Sequence, residues 1–278
     1  MKHPFIRKLR TDWLFTTALV FLVGVIVVAV FAPYVAPHDP NAQSLSLRLR
    51  GPGWSDNGLW AYPLGTDQLG RDLLSRIIMG SRVSLLVGLS TVVVGIIVGG
   101  AVGLLAGYFE GWFDAVLMRL ADIQLAFPYI LLTLAVLAVL GPGLNIVIFV
   151  LGVASWPSYA RIVRGAVLSV KQREFVASAV ALGASTSRIV LRHVLPNVVA
   201  PLLVLATLQI SQMMMAEAAL SFLGAGVPIT TPTWGGMLNE GQRYIFNAWW
   251  LTIFPGAALS LVVIAFNFVG DGLDDLIK

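Results

Sequence analysis

Residues 13–36 read WLFTTALVFLVGVIVVAVFAPYVA, 24 positions without a charged side chain. At about 1.5 Å per residue, such a run crosses a hydrocarbon core of about 30 Å with some tilt. Lys2, Arg7, Lys8 and Arg10 precede it, and a basic head of this kind also opens secretory signals. The apolar region of a signal is about 7–15 residues long and ends at a small-residue cleavage site. This run is longer, and Pro33 spoils its one small-residue site. It reads as a retained transmembrane helix.

Further apolar runs cover 83–109, 115–140 (with Arg119 and Asp122 near its start), 144–160 after the breaker Gly141-Pro142-Gly143, 198–223 and 248–269. With the first run they predict an all-α membrane protein of six transmembrane helices. Composition agrees: 58% of the 278 residues are hydrophobic, 12% are charged and the mean hydropathy is +0.86. A water-soluble domain carries about 25% charge, so a soluble enzyme and a disordered chain are both excluded. The net charge of +4 is a small surplus of 18 basic over 14 acidic residues. It reads as loop charge rather than a nucleic-acid surface.

Loop charges set the expected orientation. The pieces 1–12, 110–119, 161–193 and 270–278 hold 12 basic residues, and the pieces on the opposite side hold 6. The positive-inside bias places both termini in the cytoplasm. The chain then divides into a cytoplasmic N-terminus (1–12), a first transmembrane helix (13–36), an external segment (37–82) and a five-helix domain (83–278) with an internal loop at 161–193. A third stretch, 225–247, lies outside.

Much chemistry is absent from the sequence. There is no cysteine, and His3, His38 and His193 are widely scattered, which removes disulfides, thiolate metal sites and cysteine nucleophiles. None of the four lysines follows a glycine, so no G-x-x-x-x-G-K-[ST] loop exists to bind ATP. Neither H-E-x-x-H nor G-x-S-x-G occurs, and a membrane-embedded hydrolase has no nucleophile–base pair. Asp122 reads as a local ion pair with Arg119. Glu217 lies about 30 Å up its helix from Asn197, at about 1.5 Å per residue, near the outer surface as a gate, interface or packing group. A stand-alone secondary transporter needs an ion site at depth, and none is evident. Met213-Met214-Met215 reads as adaptable packing.

The internal loop is the most informative segment. It reads EFVASAVALGAS over 174–185 and continues through Arg192-His193 to Pro196-Asn197. Phe175, Ala179 and Leu182 fall at i, i+4 and i+7 and share one helix face. Gly183 suits the left-handed position that ends that helix, and Ser185 is placed to cap a second one. The product is a helix–Gly–helix elbow with a small-residue face and a basic flank. Composition leaves two readings open, an amphipathic helix on anionic lipid or a plug for a groove on a cytoplasmic partner. Outside, residues 71–82 read as an amphipathic helix at the outer interface, with Leu73, Leu74, Ile77 and Ile78 on its apolar side. Asp72 and Arg76 are spaced to pair at i, i+4. This piece is either an anchor or a contact for a docking protein. Trp249 and Trp250 suit an interfacial aromatic belt.

The loop resembles the EAA loop of permease subunits in binding-protein-dependent ABC importers. The match rests on Glu174, Ala179, Ala181-Leu182-Gly183-Ala184-Ser185, Arg192-His193 and Pro196-Asn197. Two departures stand out. Ser178 replaces the usual alanine, and Val180 replaces a common arginine, removing one salt bridge to the ATPase. The resemblance spans roughly residues 12–276 and narrows to the second permease of dipeptide, oligopeptide and nickel systems. Leu64-Gly65-Thr66-Asp67, Gly70-Arg71-Asp72, Ser75-Arg76, Phe127-Pro128, 217–224 (EAALSFLG), Trp234-Gly235, Phe254-Pro255-Gly256, Phe266-Asn267 and Gly270-Asp271-Gly272 carry it.

The resemblance implies a type I ABC importer permease fold in the inner membrane of a prokaryote, without catalysis or a cofactor of its own. Glu174, Phe175, Ala179, Leu182, Gly183, Ala184 and Ser185 would couple it to the ATPases, and Asp67, Arg71, Asp72 and Arg76 would belong to the external segment. Its implied partners are a second homologous permease, two cytoplasmic ABC ATPase subunits holding ATP and magnesium, an extracytoplasmic binding protein and membrane lipid. Di- or oligopeptides lead as cargo, with nickel chelates and glutathione-like compounds as alternatives.

Overall fold

The structure, a computed structural model, describes residues 8, 9, 11–228 and 230–277. Lys2, Arg7, Arg10 and Lys278 of the orientation count, and His3, lie outside the described residues. Among these residues the only strand-like feature is an isolated antiparallel bridge between Thr66 and Asp72. All else is helix, turn and loop.

The helices run in order as α1 (Trp13–Val30), α2 (Ala32–Val35), α3 (Leu73–Phe109), α4 (Gly111–Leu125), α5 (Tyr129–Leu140), α6 (Leu144–Ala154), α7 (Trp156–Lys171), α8 (Glu174–Ala181), α9 (Thr186–Ile189), α10 (Leu195–Phe222), α11 (Trp234–Gln242) and α12 (Trp250–Ile277). Asp12 starts α1 by accepting the Phe15 N–H at 3.0 Å, which satisfies one of the free donors at a helix start. Four stretches are long and apolar enough to cross a membrane, and six if each of two bent pairs makes one span. The pairs are α4–α5, bent by 88°, and α6–α7, bent by 40°. The expected run over 115–140 is therefore two segments, because Phe127-Pro128 withdraws a backbone donor and disfavours helix before the proline. The run over 144–160 breaks at Ser155 and continues as helix to Lys171.

Helix α3 carries the 71–82 piece directly into the second span, as expected, but as one continuous helix that starts at Leu73. It has 37 residues, about 55 Å at 1.5 Å per residue, and passes residues 82–83 without a break. Asp72 stands just outside as its N-cap and accepts from Ser75 N at 3.1 Å and Ser75 Oγ at 2.5 Å. It is not helical, so the expected Asp72–Arg76 pair does not form.

α3 and α7 pack backbone against backbone along a glycine row. A Cβ on Gly99 would lie 2.3 Å from the Trp156 carbonyl oxygen, and one on Gly103 2.4 Å from that of Ala160. Small residues at such spacing let membrane helices approach closely where no water-driven force assists them. The end of α7 is then clamped. Arg164 makes a two-bond fork to Asp114 at 2.5 and 2.6 Å. Lys171 reaches the Tyr108 carbonyl at 2.7 Å and Glu110 at 2.6 Å. Asp122 pairs with Arg161 rather than with its sequence neighbour Arg119, because the α7 cation reaches it from across the helix pair. Three basic residues of 161–193, Arg161, Arg164 and Lys171, are thus paired within the chain.

Candidate functional site

Two ends of the bundle gather the residues singled out from sequence. At one end α8 forms the short limb of the elbow. Gly183 takes φ +76°, and the turn closes through Gly183 N–H to the Val180 carbonyl at 2.9 Å and Ala184 N–H to that of Ala179 at 3.0 Å. These are the bonds of a left-handed helix stop. Ser185 is extended at the start of α9, but its hydroxyl makes no cap bond. It faces the Ser187 hydroxyl at 3.4 Å instead. The second limb is α9, a π-helical turn over Val190–Val194 and then α10.

The elbow stands on its own small core. Val163, Val167 and Val170 of α7, Val176 of α8, Ile189 and Val194 of the second limb and Val198 of α10 form a buried cluster separate from the main one. Val176 points inward. Phe175 and Val180 stand out, Glu174 and Ser185 are exposed, and Leu182 is 87% exposed; Ala179 and Ala184 are half-buried. Of the expected face, Phe175 and Leu182 thus project from a packed seat, while Ala179 is partly covered.

At the other end the segment before α3 is locked to α3 and α11. Asp67 accepts from Leu69 N at 2.8 Å, Arg71 N at 2.9 Å and Arg71 Nε at 2.5 Å, and it pairs with Arg76 as well. Glu240 on α11 receives Arg71 Nη2 at 2.7 Å, Arg76 Nη1 at 2.8 Å and Gln68 Nε2 at 3.1 Å. Arg76 is only 2% exposed. Two carboxylates and two guanidiniums form one neutral buried knot, so Asp67, Arg71 and Arg76 are internal braces. Glu240 escaped the sequence reading because it joins from 164 positions away. Asp72 does separate work. It caps α3 and accepts from His38, whose ring stacks on Tyr62 at 4.7 Å.

Glu217 lies near the end of α10, as its position predicted, but buried rather than at a surface. Ser221 Oγ donates to it at 2.7 Å and also accepts from Val227 N at 3.3 Å, tying α10 to the loop that follows. The contacts are those of a residue that joins α10 to the following loop. Because Gln keeps an oxygen for Ser221, Glu217→Gln should leave more than half of the transport rate. Initial uptake at matched membrane protein levels measures this, and complete loss would make Glu217 an ion or gate site. The aromatic-belt expectation also splits. Trp249 is exposed, whereas Trp250 is buried with its indole N–H on the Thr66 carbonyl at 3.2 Å.

The described residues thus form a helical bundle with four to six candidate membrane spans, a braced cap at one end and an apolar elbow at the other. The family model described as "Binding-protein-dependent transport system inner membrane component" matches residues 92–278. A second, "N-terminal TM domain of oligopeptide transport permease C", matches residues 3–52. The chain belongs to the binding-protein-dependent transport system inner membrane component family, and it is a multi-pass ABC importer permease of the bacterial inner membrane.

Among its relatives is the di/tripeptide transport system permease protein DppC of Pseudomonas aeruginosa, 46% identical over 257 residues, which cover 92% of this chain and 85% of that one. The glutathione transport system permease protein GsiD of Escherichia coli is 43% identical over 274 residues, 98% of this chain and 88% of that one. A chain of the MetNI methionine ABC transporter in an inward-facing form shares the fold. Its TM-score is 0.62 at 20% identity, over 73% of this chain and 97% of that one. The stand-alone secondary transporter gives way to this assignment.

Proposed function

We propose that the chain carries di- or tripeptides or glutathione inward as one of two homologous permeases. Two cytoplasmic ATPase subunits drive the pair, and an extracytoplasmic binding protein loads it. The observation that carries the reading is the elbow, whose exposed Phe175 and Leu182 sit on a separate core joining α7 to α10. A lipid-lying helix needs no such seat. A lever does, because a push on α8 must reach the spans without being absorbed. The cargo assignment rests on the relatives named for di/tripeptide and glutathione transport.

In this mechanism the elbow end is cytoplasmic and the charge knot external. ATP-driven closure of the ATPases moves α8, and α7 and α10 follow because their valines share its core. The pathway then opens outward to the loaded binding protein, and product release resets it. Cargo contacts bias the cycle only through their difference between the two states. ATP and magnesium stay on the partners.

The test is purification of the tagged chain from native membranes in mild detergent, with partners identified by mass spectrometry. ATP-dependent uptake of labelled dipeptide, tripeptide and glutathione into proteoliposomes follows. The expected result is a homologous permease with P-loop ATPases, and uptake of at least one of these compounds. A reproducible homo-oligomer free of ATPase would overturn it.

A further inference from the structure

A groove of ≈ 460 Å³ lies where both bent spans meet α10. Leu125 and Tyr129 flank the α4–α5 bend, Ser155 and Ser158 flank the α6–α7 joint, and Gln209 and Gln212 face them from α10. No lining residue is charged. The two bends are tied together, because Gln124 donates to the Ala154 carbonyl at 2.6 Å and accepts from the Trp156 indole at 2.7 Å. The groove therefore sits on the element that links to the elbow through α7, and on α10, which links to it from the other limb.

Gln209 makes this more than an apolar crevice. It is 6% exposed, lines the groove, and its Oε1 has no hydrogen-bond partner among the described residues. Most buried polar atoms in proteins are paired, and leaving an acceptor unpaired at membrane depth is expensive. Tyr129, by contrast, is occupied, since its hydroxyl donates to Met213 Sδ at 3.3 Å. An acceptor with no counter-charge nearby suits a neutral N–H donor, and the N–H that every peptide carries, whatever its side chains, is that of the amide bond.

We infer that Gln209 Oε1 is a specificity-determining contact that accepts a hydrogen bond from a backbone amide N–H of the peptide cargo in this groove. The inference rests on the peptide-import reading above and adds to it a residue and an atom. It predicts a pathway that reads the peptide bond and tolerates varied side chains. Ordered water or the second permease are the other candidate partners for Gln209, and the experiment separates them from cargo.

The assay is uptake by the complete importer in proteoliposomes, comparing a tripeptide with its depsipeptide analogue, in which one amide N–H is replaced by an ester oxygen. Gln209→Met keeps length and apolar packing but removes the acceptor. The binding protein is common to both importers, so its own preference cancels in the ratio of rates. The amide-to-ester ratio of the wild type should fall about fivefold in Gln209→Met, the loss of one net hydrogen bond. An unchanged ratio overturns the inference and leaves Gln209 to water or the partner. Gln209→Asn, which withdraws the acceptor by one methylene, must show the same fall if the Met variant does not assemble, and a wild-type ratio there is equally fatal. Failure of the wild type to take up either compound while hydrolysing ATP would instead refute the peptide reading itself.

Discussion

Gly183→Arg is expected to abolish transport while the chain still inserts and assembles. At φ +76° an L side chain is strained by about 1–2 kcal/mol, enough to disturb one turn and too little to unfold a membrane bundle. A Cβ at Gly183 meets nothing within 4 Å, so the new side chain leaves the backbone into open space. It projects from the turn beside Leu182, on the surface proposed to enter the ATPase groove, and places a bulky cation where close helix approach is needed. Uptake should drop to background, and ATP hydrolysis should no longer respond to the loaded binding protein. Gly183→Asn is the control, because Asn tolerates the left-handed region and adds little bulk; it should keep a substantial part of the rate. Immunoblots of the membrane fraction show whether both variants insert, and normal uptake by the Arg variant would remove the elbow from the coupling path.

The elbow was legible because its signals are local. A left-handed stop needs a glycine, and the i, i+4, i+7 spacing around it sets the face. The six apolar runs were legible for the same reason, since length and lack of charge are properties of a window. Bends inside those runs were not. A span that is apolar all round has no periodicity to break, so Phe127-Pro128 could be recognised as a motif without revealing an 88° turn. The far end failed differently. Local spacing offered Asp72 to Arg76, while the fold supplied Asp67 and, from α11, Glu240. Asp122 likewise found Arg161 rather than Arg119. Partner choice among charges is decided by tertiary proximity, which one sequence does not display. Gln209 was passed over as one polar residue in an apolar span; its signal is the unpaired oxygen, visible only once its neighbours are placed.

Arg76→Met is expected to loosen the cap built on residues 37–72 more than any truncation on its surface. The knot of Asp67, Glu240, Arg71 and Arg76 is neutral, and each carboxylate pairs with both guanidiniums. Removing Arg76 leaves two buried carboxylates sharing one cation. Breaking a buried ion network in this way costs about 3–5 kcal/mol, because the cost is the uncompensated charge left behind rather than the lost bond. The segment over 37–72 should then become sensitive to limited proteolysis from its exposed side, and the thermal midpoint of the purified complex should fall. Charge balance predicts the rescue. In Arg76→Met with Glu240→Met only the Asp67–Arg71 pair remains, joined by the 2.5 Å bond from Arg71 Nε to Asp67, and most of the lost resistance should return. A double variant no better than the single one would show that Arg76 acts through packing of its stem, and that the cap is held by Trp234 and Trp250, whose indoles donate to the Ile77 and Thr66 carbonyls, rather than by the charge knot.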